Sequence, residues 1–337
     1  MTARPTRRAF AAMLVSGLLA APRRSRAQST RRTSPRIGFI FSNTPQAELE
    51  GPQPASPYLR AFLEQLRELG WVDGQNIIVE RRTADGELER YVDLTRELMA
   101  LRVELIVVSG TGGVFKVKQV NNTVPIVMAG GIAETLFSEG VAKSLARPGG
   151  TVTGLTTAIP GLEDKRLQLL KEAVPGASRV AYLGAAPPLP SSTMTAARAL
   201  HVTVIPVETA TVDGLEKAFS ELKRARADAL LAVWGPTFFW NARQRISNLA
   251  AQHRLPAIYW DRAFTDAGGL LSYGPDYLDI DRRAAYHVDK ILKGMKPGDI
   301  PIEQPVKFEL IVNLKAAKAL ALTIPPAFVE RADLVIR

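Results

Sequence analysis

Val103-Glu104-Leu105-Ile106-Val107-Val108 is an almost uninterrupted apolar stretch, and Ser109-Gly110-Thr111-Gly112-Gly113 follows it directly. A short β-branched stretch without alternation is typical of a strand that is covered on both faces of a parallel sheet. Residues 114–120 then have helical character. The stretch therefore predicts a strand, a glycine-rich turn and a helix, which is the repeating unit of a parallel α/β fold.

The same alternation continues in both directions along the chain. It predicts two sets of parallel strands, each covered by helices, and hence an α/β protein with two Rossmann-like lobes. The first set of strands is expected at residues 36–41, 76–80, 103–108 and 125–128, and the second at 180–183, 202–207, 229–233 and 257–259. Helices are expected at residues 58–69, 88–101, 114–120, 194–200, 214–224 and 238–253.

The last fifth of the chain predicts a hinge between these lobes. A helix over residues 279–293 is followed by three prolines and an extended stretch at 306–312, so the chain crosses between the lobes more than once. A turn-forming cluster at 148–154 predicts the first crossing. We expect an N-terminal lobe of residues 36–153 plus 275–303 and a C-terminal lobe of 154–274 plus 304–337. Lobes joined by a multi-strand hinge can close on a ligand.

The N-terminus predicts an export signal over residues 1–27. Arg7 and Arg8 precede an uncharged apolar stretch at 11–20, and Ser25-Arg26-Ala27 has the small-x-small pattern of a cleavage site. The apolar stretch is shorter than the roughly 20 residues of a membrane-spanning helix. We therefore expect a twin-arginine signal that is cleaved near Ala27, and a periplasmic product.

Charge and cysteine content exclude several classes of protein. Residues 1–27 carry six arginines and no other charged residue, so their removal lowers the formal charge from +10 to +4. A nearly neutral body argues against nucleic acid as a partner. The chain has no cysteine, which excludes disulfides, thiolate metal sites and thiol nucleophiles.

Four stretches carry a resemblance to a known family. They are residues 70–80, 147–154, 307–320 and, most distinctively, 268–277, Gly-Gly-Leu-Leu-Ser-Tyr-Gly-Pro-Asp-Tyr. In their order along the chain they resemble the tryptophan/tyrosine-type family of ABC transporter substrate-binding proteins, with departures at Thr151 and at residues 110–113. The resemblance implies a type I periplasmic-binding-protein fold, a small-molecule ligand and an ABC permease in the inner membrane as partner. It also implies a monomer without a cofactor, and leaves the ligand open among amino acids and related carboxylates that are aromatic or apolar.

A binding site is expected where parallel strands end, because loops and helix N-termini converge there. The stretch 109–113 is the most informative, since its hydroxyls and amides suit a carboxylate at a helix N-terminus. An ordinary turn with a Ser or Thr N-cap explains the same residues without a ligand. In the first lobe the strand ends select Ser42, Asn43, Thr44, Ser109, Gly110, Thr111, Ala129 and Gly130.

The strand ends of the second lobe are rich in aromatic residues, which suit a flat apolar ligand. Asp261 is expected either to pair with a ligand amine or to cap the next helix. Residues 238–240 begin a helix and are expected to anchor the core. The strand-end residues selected are Ala185, Trp234, Gly235, Tyr259, Trp260, Asp261 and Tyr273.

No pattern in the chain predicts catalysis or a metal. His201, His253 and His287 have no ligand-like spacing and are expected at the surface, and no G-x-S-x-G elbow is present. Two other functions remain open: a sensory binding protein that docks on a receptor kinase, and a periplasmic hydrolase. A transcription regulator of this fold is excluded, because the chain carries an export signal and has no DNA-binding headpiece.

Overall fold

The computed structural model describes residues 34–184, 189–209, 211–233 and 238–337. The predicted export signal at residues 1–27 lies outside this part of the chain. The described strands are β1 (Arg36–Phe41), β2 (Ile78–Thr83), β3 (Leu105–Ser109), β4 (Ile126–Ala129), β5 (Val152–Leu155), β6 (Arg179–Gly184), β7 (Thr203–Glu208), β8 (Ala229–Ala232), β9 (Ala257–Tyr259), β10 (Leu271–Pro275), β11 (Ile302–Glu303), β12 (Phe308–Asn313) and β13 (Leu334–Ile336).

Helices cover both sheets, and side chains cap the N-termini of several of them. Ser56 accepts a hydrogen bond from the amide of Leu59, and Asp276 accepts one from the amide of Asp279 at 3.0 Å. The helices are α1 (Gln46–Leu49), α2 (Pro57–Glu68), α3 (Arg90–Ala100), α4 (Thr111–Val120), α5 (Ala133–Ser138), α6 (Leu162–Ala173), α7 (Ser191–Ala199), α8 (Gly214–Arg224), α9 (Phe238–Asn241), α10 (Arg243–Gln252), α11 (Arg262–Asp266), α12 (Tyr277–Leu292), α13 (Leu314–Ala319) and α14 (Pro326–Val329).

The strands form two sheets, as the alternating pattern predicts. The first has the order β11-β5-β4-β3-β1-β2, and all its neighbours are parallel. The second has the order β13-β12-β10-β9-β8-β6-β7 and is parallel except where β12 runs against β10. The α/β fold class with two mostly parallel sheets is therefore confirmed.

Each sheet is buried on both faces. In the first sheet Phe39 and Leu105 belong to one apolar cluster, whereas Ile40 and Ile106 belong to another. Successive strand residues point to opposite faces, so the two clusters lie on the two sides of the sheet. This explains why the central strands contain almost no polar residues.

Three connections join the sheets. The chain passes to the second sheet after β5, returns after β10 to place α12 against the first sheet, and leaves again after β11 for β12. Backbone hydrogen bonds tie these connections together, from Thr156 N to Glu303 O at 2.9 Å and from Asp276 N to Lys307 O at 3.0 Å. The residue limits of the two lobes remain a prediction, although β5 continues to Leu155, past the expected limit at residue 153.

Two of the differences between the structure and the sequence-based expectation lie in the second strand and in the helix expected over residues 238–253. The second strand begins at Ile78 because the side chain of Asn76 completes the preceding turn. Its Oδ1 accepts a hydrogen bond from Val72 N, and its Nδ2 donates one to Gly70 O. The helix expected over residues 238–253 is divided into α9 and α10 at Ala242. At the division Arg243 Nη1 donates to the carbonyl oxygen of Trp240 at 3.0 Å.

None of the helices within the described ranges is both long enough and apolar enough to cross a bilayer.

Candidate functional site

A cavity of about 380 Å³ opens at the carboxyl ends of the first sheet's strands. Residues of the loops after β1, β3 and β4 form one side, and residues of α2, α9, α12 and the end of β9 complete it. Its lining is formed by Phe41, Ser42, Asn43, Thr44, Tyr58, Gly86, Leu88, Tyr91, Ser109, Gly110, Thr111, Gly112, Gly113, Phe115, Ala129, Gly130, Ile132, Thr135, Trp240, Trp260, Tyr277, Ile280 and Asp281.

The structure brings the predicted first-lobe residues together at this cavity. All eight line it, together with Trp260 of the second lobe: Ser42, Asn43, Thr44, Ser109, Gly110, Thr111, Ala129 and Gly130. Ala185, Trp234 and Gly235 lie outside the described residues. Tyr259, Asp261 and Tyr273 are described and are not part of the lining.

Tyr259 and Tyr273 pack against residues of the second lobe instead of the cavity. Tyr259 is fully buried, and its ring stacks on that of Phe264 with 4.8 Å between centroids. The ring of Tyr273 stacks on Phe308 at 5.9 Å and contacts the opposite apolar cluster. The strand-end rule selects a backbone position, and the direction of each side chain decides whether it faces a ligand.

The side of the cavity formed by the β1 and β3 loops, which we call the polar wall, is held by hydrogen bonds. The hydroxyls of Ser42 and Tyr91 lie 2.9 Å apart, and both donate to the carbonyl oxygen of Ser109, at 2.9 and 3.0 Å. Thr111 Oγ1 accepts a hydrogen bond from Ile132 N. The buried Oδ1 of Asn43 has no hydrogen-bond partner among the described residues. These loops are therefore fixed to one another before any ligand arrives.

Helix α4 begins at the polar wall, three residues earlier than predicted. Its N-cap is Gly110, whose φ of 82° lies in the left-handed region, and no side chain caps the helix. Only glycine fits at position 113, because a Cβ there would clash with Tyr91 Cε1 at 2.5 Å and with Val108 Cγ1 at 2.6 Å. Within the described chain, the amides of Gly112 and Gly113 have no acceptor. The first turn of α4 can therefore donate to an anionic group in the cavity.

Rings dominate the opposite side, which we call the aromatic wall and define as Tyr58, Trp240, Trp260 and Tyr277. The rings of Tyr58 and Trp240 meet edge to face with 6.4 Å between centroids. Trp260 is only 4% exposed and packs on Phe264 at 4.3 Å. Trp240, expected in the core, is partly exposed at the cavity, while its neighbour Phe239 is fully buried.

Two buried carboxyl groups lie at or behind the aromatic wall. Asp281 lines the cavity, and desolvation, with the nearby charge of Asp276, raises its pKa well above the ordinary value. Asp261 lies outside the lining and caps α11, with Oδ1 accepting from Ala263 N at 2.7 Å. Desolvation raises the pKa of Asp261 to about 7, and its Oδ2 has no hydrogen-bond partner in the described chain.

His287 is not at the surface, contrary to expectation. It is fully buried in α12, with Nδ1 3.1 Å from the carbonyl oxygen of Arg283 and Nε2 3.2 Å from that of Pro301. Burial lowers its pKa. The contact with Pro301 joins α12 to the segment that leads into β11, so the residue has a structural role. No cluster of acidic and histidine side chains suitable for a metal ion occurs in the described ranges.

Sequence reasoning missed several residues of the lining that come from helices: Tyr58, Tyr91, Trp240, Tyr277 and Asp281. Two signals were available. Trp240 stands in the first turn of a helix that follows a strand end, and residues 277–281 follow the chain's return to the first sheet. Tyr58 and Tyr91 carry no comparable local signal, because only packing brings α2 and α3 to the cavity.

Comparisons with known proteins agree on one class of protein. A family model described as ABC transporter substrate binding protein matches residues 55–336. A tyrosine-binding protein from Clostridioides difficile (strain R20291) is 24% identical over 266 residues, which cover 77% of this chain and 75% of that protein.

Solved structures show the same fold. An ABC domain in complex with L-Trp from Streptococcus pneumonia has a TM-score of 0.77 at 20% identity, over 90% of this chain and 100% of that chain. A solute binding protein of an ABC transporter from Rhodopseudomonas palustris BisB5, in complex with 3,4-dihydroxybenzoic acid, has a TM-score of 0.51 at 13% identity, over 79% and 83%. These similarities establish the type I periplasmic-binding-protein architecture.

Proposed function

This chain belongs to the ABC transporter substrate-binding protein family, and on that premise we propose that it captures a small molecule in the cavity and presents it to an ABC permease. The observation that carries the proposal is the construction of the cavity. The polar wall supplies fixed hydroxyls and helix amides. The aromatic wall supplies rings from α2, α9, α12 and the end of β9. Its volume of about 380 Å³ lies within the range of small-molecule sites.

The proposed ligand class rests on two similar proteins and on the two walls of the cavity. The relative from Clostridioides difficile is a tyrosine-binding protein, and the similar structure from Streptococcus pneumonia holds L-Trp. We propose an amino acid or related carboxylate with an aromatic or apolar side chain. Its carboxylate lies at the first turn of α4, and its side chain lies between the rings of Trp240 and Trp260.

The cellular setting of the proposal is extracytoplasmic. Arg7 and Arg8 direct export by the twin-arginine route, and cleavage near Ala27 releases a monomeric, periplasmic protein. Cell fractionation of a variant with Arg7→Lys and Arg8→Lys tests this, since unchanged periplasmic yield would exclude the route. No feature of the cavity favours a receptor kinase over a permease as partner.

A thermal-shift screen of residues 28–337 tests the ligand class. Aromatic and apolar amino acids, and the corresponding carboxylates, should raise the melting temperature. A ligand present at 100 times its dissociation constant adds about 2.7 kcal/mol to the free energy of unfolding. Chromatography of the recovered ligand should show it unchanged, whereas product formation would favour the hydrolase. Absence of a shift with every compound at millimolar concentration would contradict the proposed class.

A further inference from the structure

Asp281 differs from the other buried carboxylates of α12. Asp279 is 8% exposed and forms an ion pair with Lys307 at 2.6 Å. Asp289 is 7% exposed, accepts a hydrogen bond from Trp71 Nε1 at 2.9 Å and pairs with Lys293. Asp281 is 8% exposed and has neither a hydrogen bond nor an ion pair with any described residue. It is also the one of the three that lines the cavity.

The position of Asp281 in the helix gives it no structural task. Acidic residues stabilise a helix N-terminus by capping it or by lying in its first turn. Asp276 already caps α12 and Asp279 already occupies its first turn. Asp281 lies beyond that turn, on the side that faces the cavity.

An unpaired carboxylate in such a place is costly unless something compensates its charge. Removing a carboxylate from water without a partner is strongly unfavourable, and this cost is reflected in the raised pKa of Asp281. No Lys, Arg or His occurs among the described residues of the lining. The described lining therefore supplies no positive charge, and Asp281 is either protonated or paired with a cationic group of the ligand.

The surroundings of Asp281 suit a cation. Tyr58, Trp240, Trp260 and Tyr277 line the same cavity, and aromatic faces attract ammonium groups. A carboxylate beside several rings disfavours an anionic group at this position and favours a protonated amine.

We propose that Asp281 is the counter-ion of a protonated amine on the ligand, and that it makes the cavity select amines and amino acids over carboxylates that lack an amine. This inference rests on the proposed function and narrows its ligand class. It assigns the amine to α12, in place of Asp261, which the sequence had suggested for that role.

Isothermal titration with matched compounds tests the proposal. The pairs are L-tyrosine with 3-(4-hydroxyphenyl)propanoate, L-tryptophan with indole-3-propanoate, and L-phenylalanine with 3-phenylpropanoate. In each pair only the first compound has an amine. The wild-type protein should bind the preferred amino acid about 10- to 100-fold more tightly than its partner, as a charge-assisted hydrogen bond implies.

Asp281→Asn should reduce this ratio to near one, because the amide removes the negative charge and keeps the shape. Asp289→Asn is the matched control: it removes a carboxylate of equal burial from the same helix, away from the cavity, and should leave the ratio unchanged. Circular dichroism and melting curves confirm that both variants fold, and Asp281→Glu should retain part of the preference.

Three results would overturn the proposal. Equal wild-type affinity for both members of a pair would show that the amine is not recognised, while the proposed function would stand. A preference that survives in Asp281→Asn would assign the amine to another group. Absence of binding by every amino acid and every propanoate would refute the proposed ligand class together with this inference.

Discussion

The polar and aromatic walls of the cavity are stabilised in different ways. In the polar wall, backbone and hydroxyl groups of Ser42, Tyr91 and Ser109 are joined by hydrogen bonds of 2.9 to 3.0 Å. In the aromatic wall, Trp260 is held by ring packing against Phe264, and Trp240 contacts Tyr58. The only lining carboxylate in the described chain, Asp281, lies beside these rings without a partner.

This difference separates the residues that position the site from those that recognise the ligand. Hydrogen bonds that the protein makes to itself fix the loops, so a ligand meets a preformed surface at little conformational cost. Groups without a protein partner, such as Asp281 and the first-turn amides of α4, are those that a ligand has to satisfy. Burial alone therefore does not distinguish the two kinds of residue, whereas the list of hydrogen-bond partners does.

The largest effect is expected within the aromatic wall. Trp260→Ala should cost about 3 to 5 kcal/mol of unfolding free energy, because a ring that is 4% exposed leaves a cavity when it is removed. Trp240→Ala should cost much less stability and weaken ligand binding by about 1 kcal/mol or more, since this ring is partly exposed at the cavity. Urea unfolding and isothermal titration of both variants measure the two quantities. Similar stability losses for both variants would contradict this prediction, because the two rings would then contribute equally to folding.

A smaller effect, dependent on pH, is expected from Asp261 behind the same wall. Its pKa is about 7 in the folded protein and near 4 in the unfolded chain, so folding favours the protonated form. The stabilisation from this group is complete below about pH 4 and is lost as the pH rises through about 7. The hydrogen bond from Ala263 N and the charges of Arg262 and Arg243 lower this pKa and Asp266 raises it, but desolvation dominates.

Asp261→Asn should therefore flatten the pH profile of stability between about pH 4 and 7, and should raise stability at pH 8 by up to a few kcal/mol. The substitution keeps the oxygen that caps α11 and replaces the unbonded Oδ2 by an amide. Urea unfolding at a series of pH values provides the test. A profile parallel to that of the wild type would mean that Asp261 ionises normally.

The smallest effect is expected in the polar wall. Tyr91→Phe removes the hydroxyl that contacts Ser42 and Ser109, and should cost about 1 kcal/mol of stability together with a few-fold loss of affinity. Tyr286→Phe is the matched control, because Tyr286 is 41% exposed on α12. If both variants behave alike in urea unfolding and titration, the hydrogen bonds of the polar wall do not position the site.

The strand-end rule located lining residues of the cavity better in the first lobe than in the second. Strand ends in a parallel sheet converge regardless of the side chains they carry, so Ser42, Ser109 and Gly130 could be placed from β-strand periodicity alone. In the second lobe the same rule selected Tyr259, whose ring is buried in the core, and Tyr273, whose partly buried ring stacks on Phe308. Asp261 was left open between an amine and a cap, and the structure shows the cap.

What the sequence determined by itself is the alternation of strands and helices, the division into two mostly parallel sheets and the family. These properties follow from hydrophobic periodicity, glycine and proline positions and motifs that are contiguous in the chain. Tertiary structure alone decided that α2, α3, α9 and α12 contribute Tyr58, Tyr91, Trp240 and Asp281 to one cavity. The physical reason is that partnership depends on three-dimensional distance: packing brings Lys307 to Asp279 and Trp71 to Asp289, and it brings no counter-ion from the described chain to Asp281.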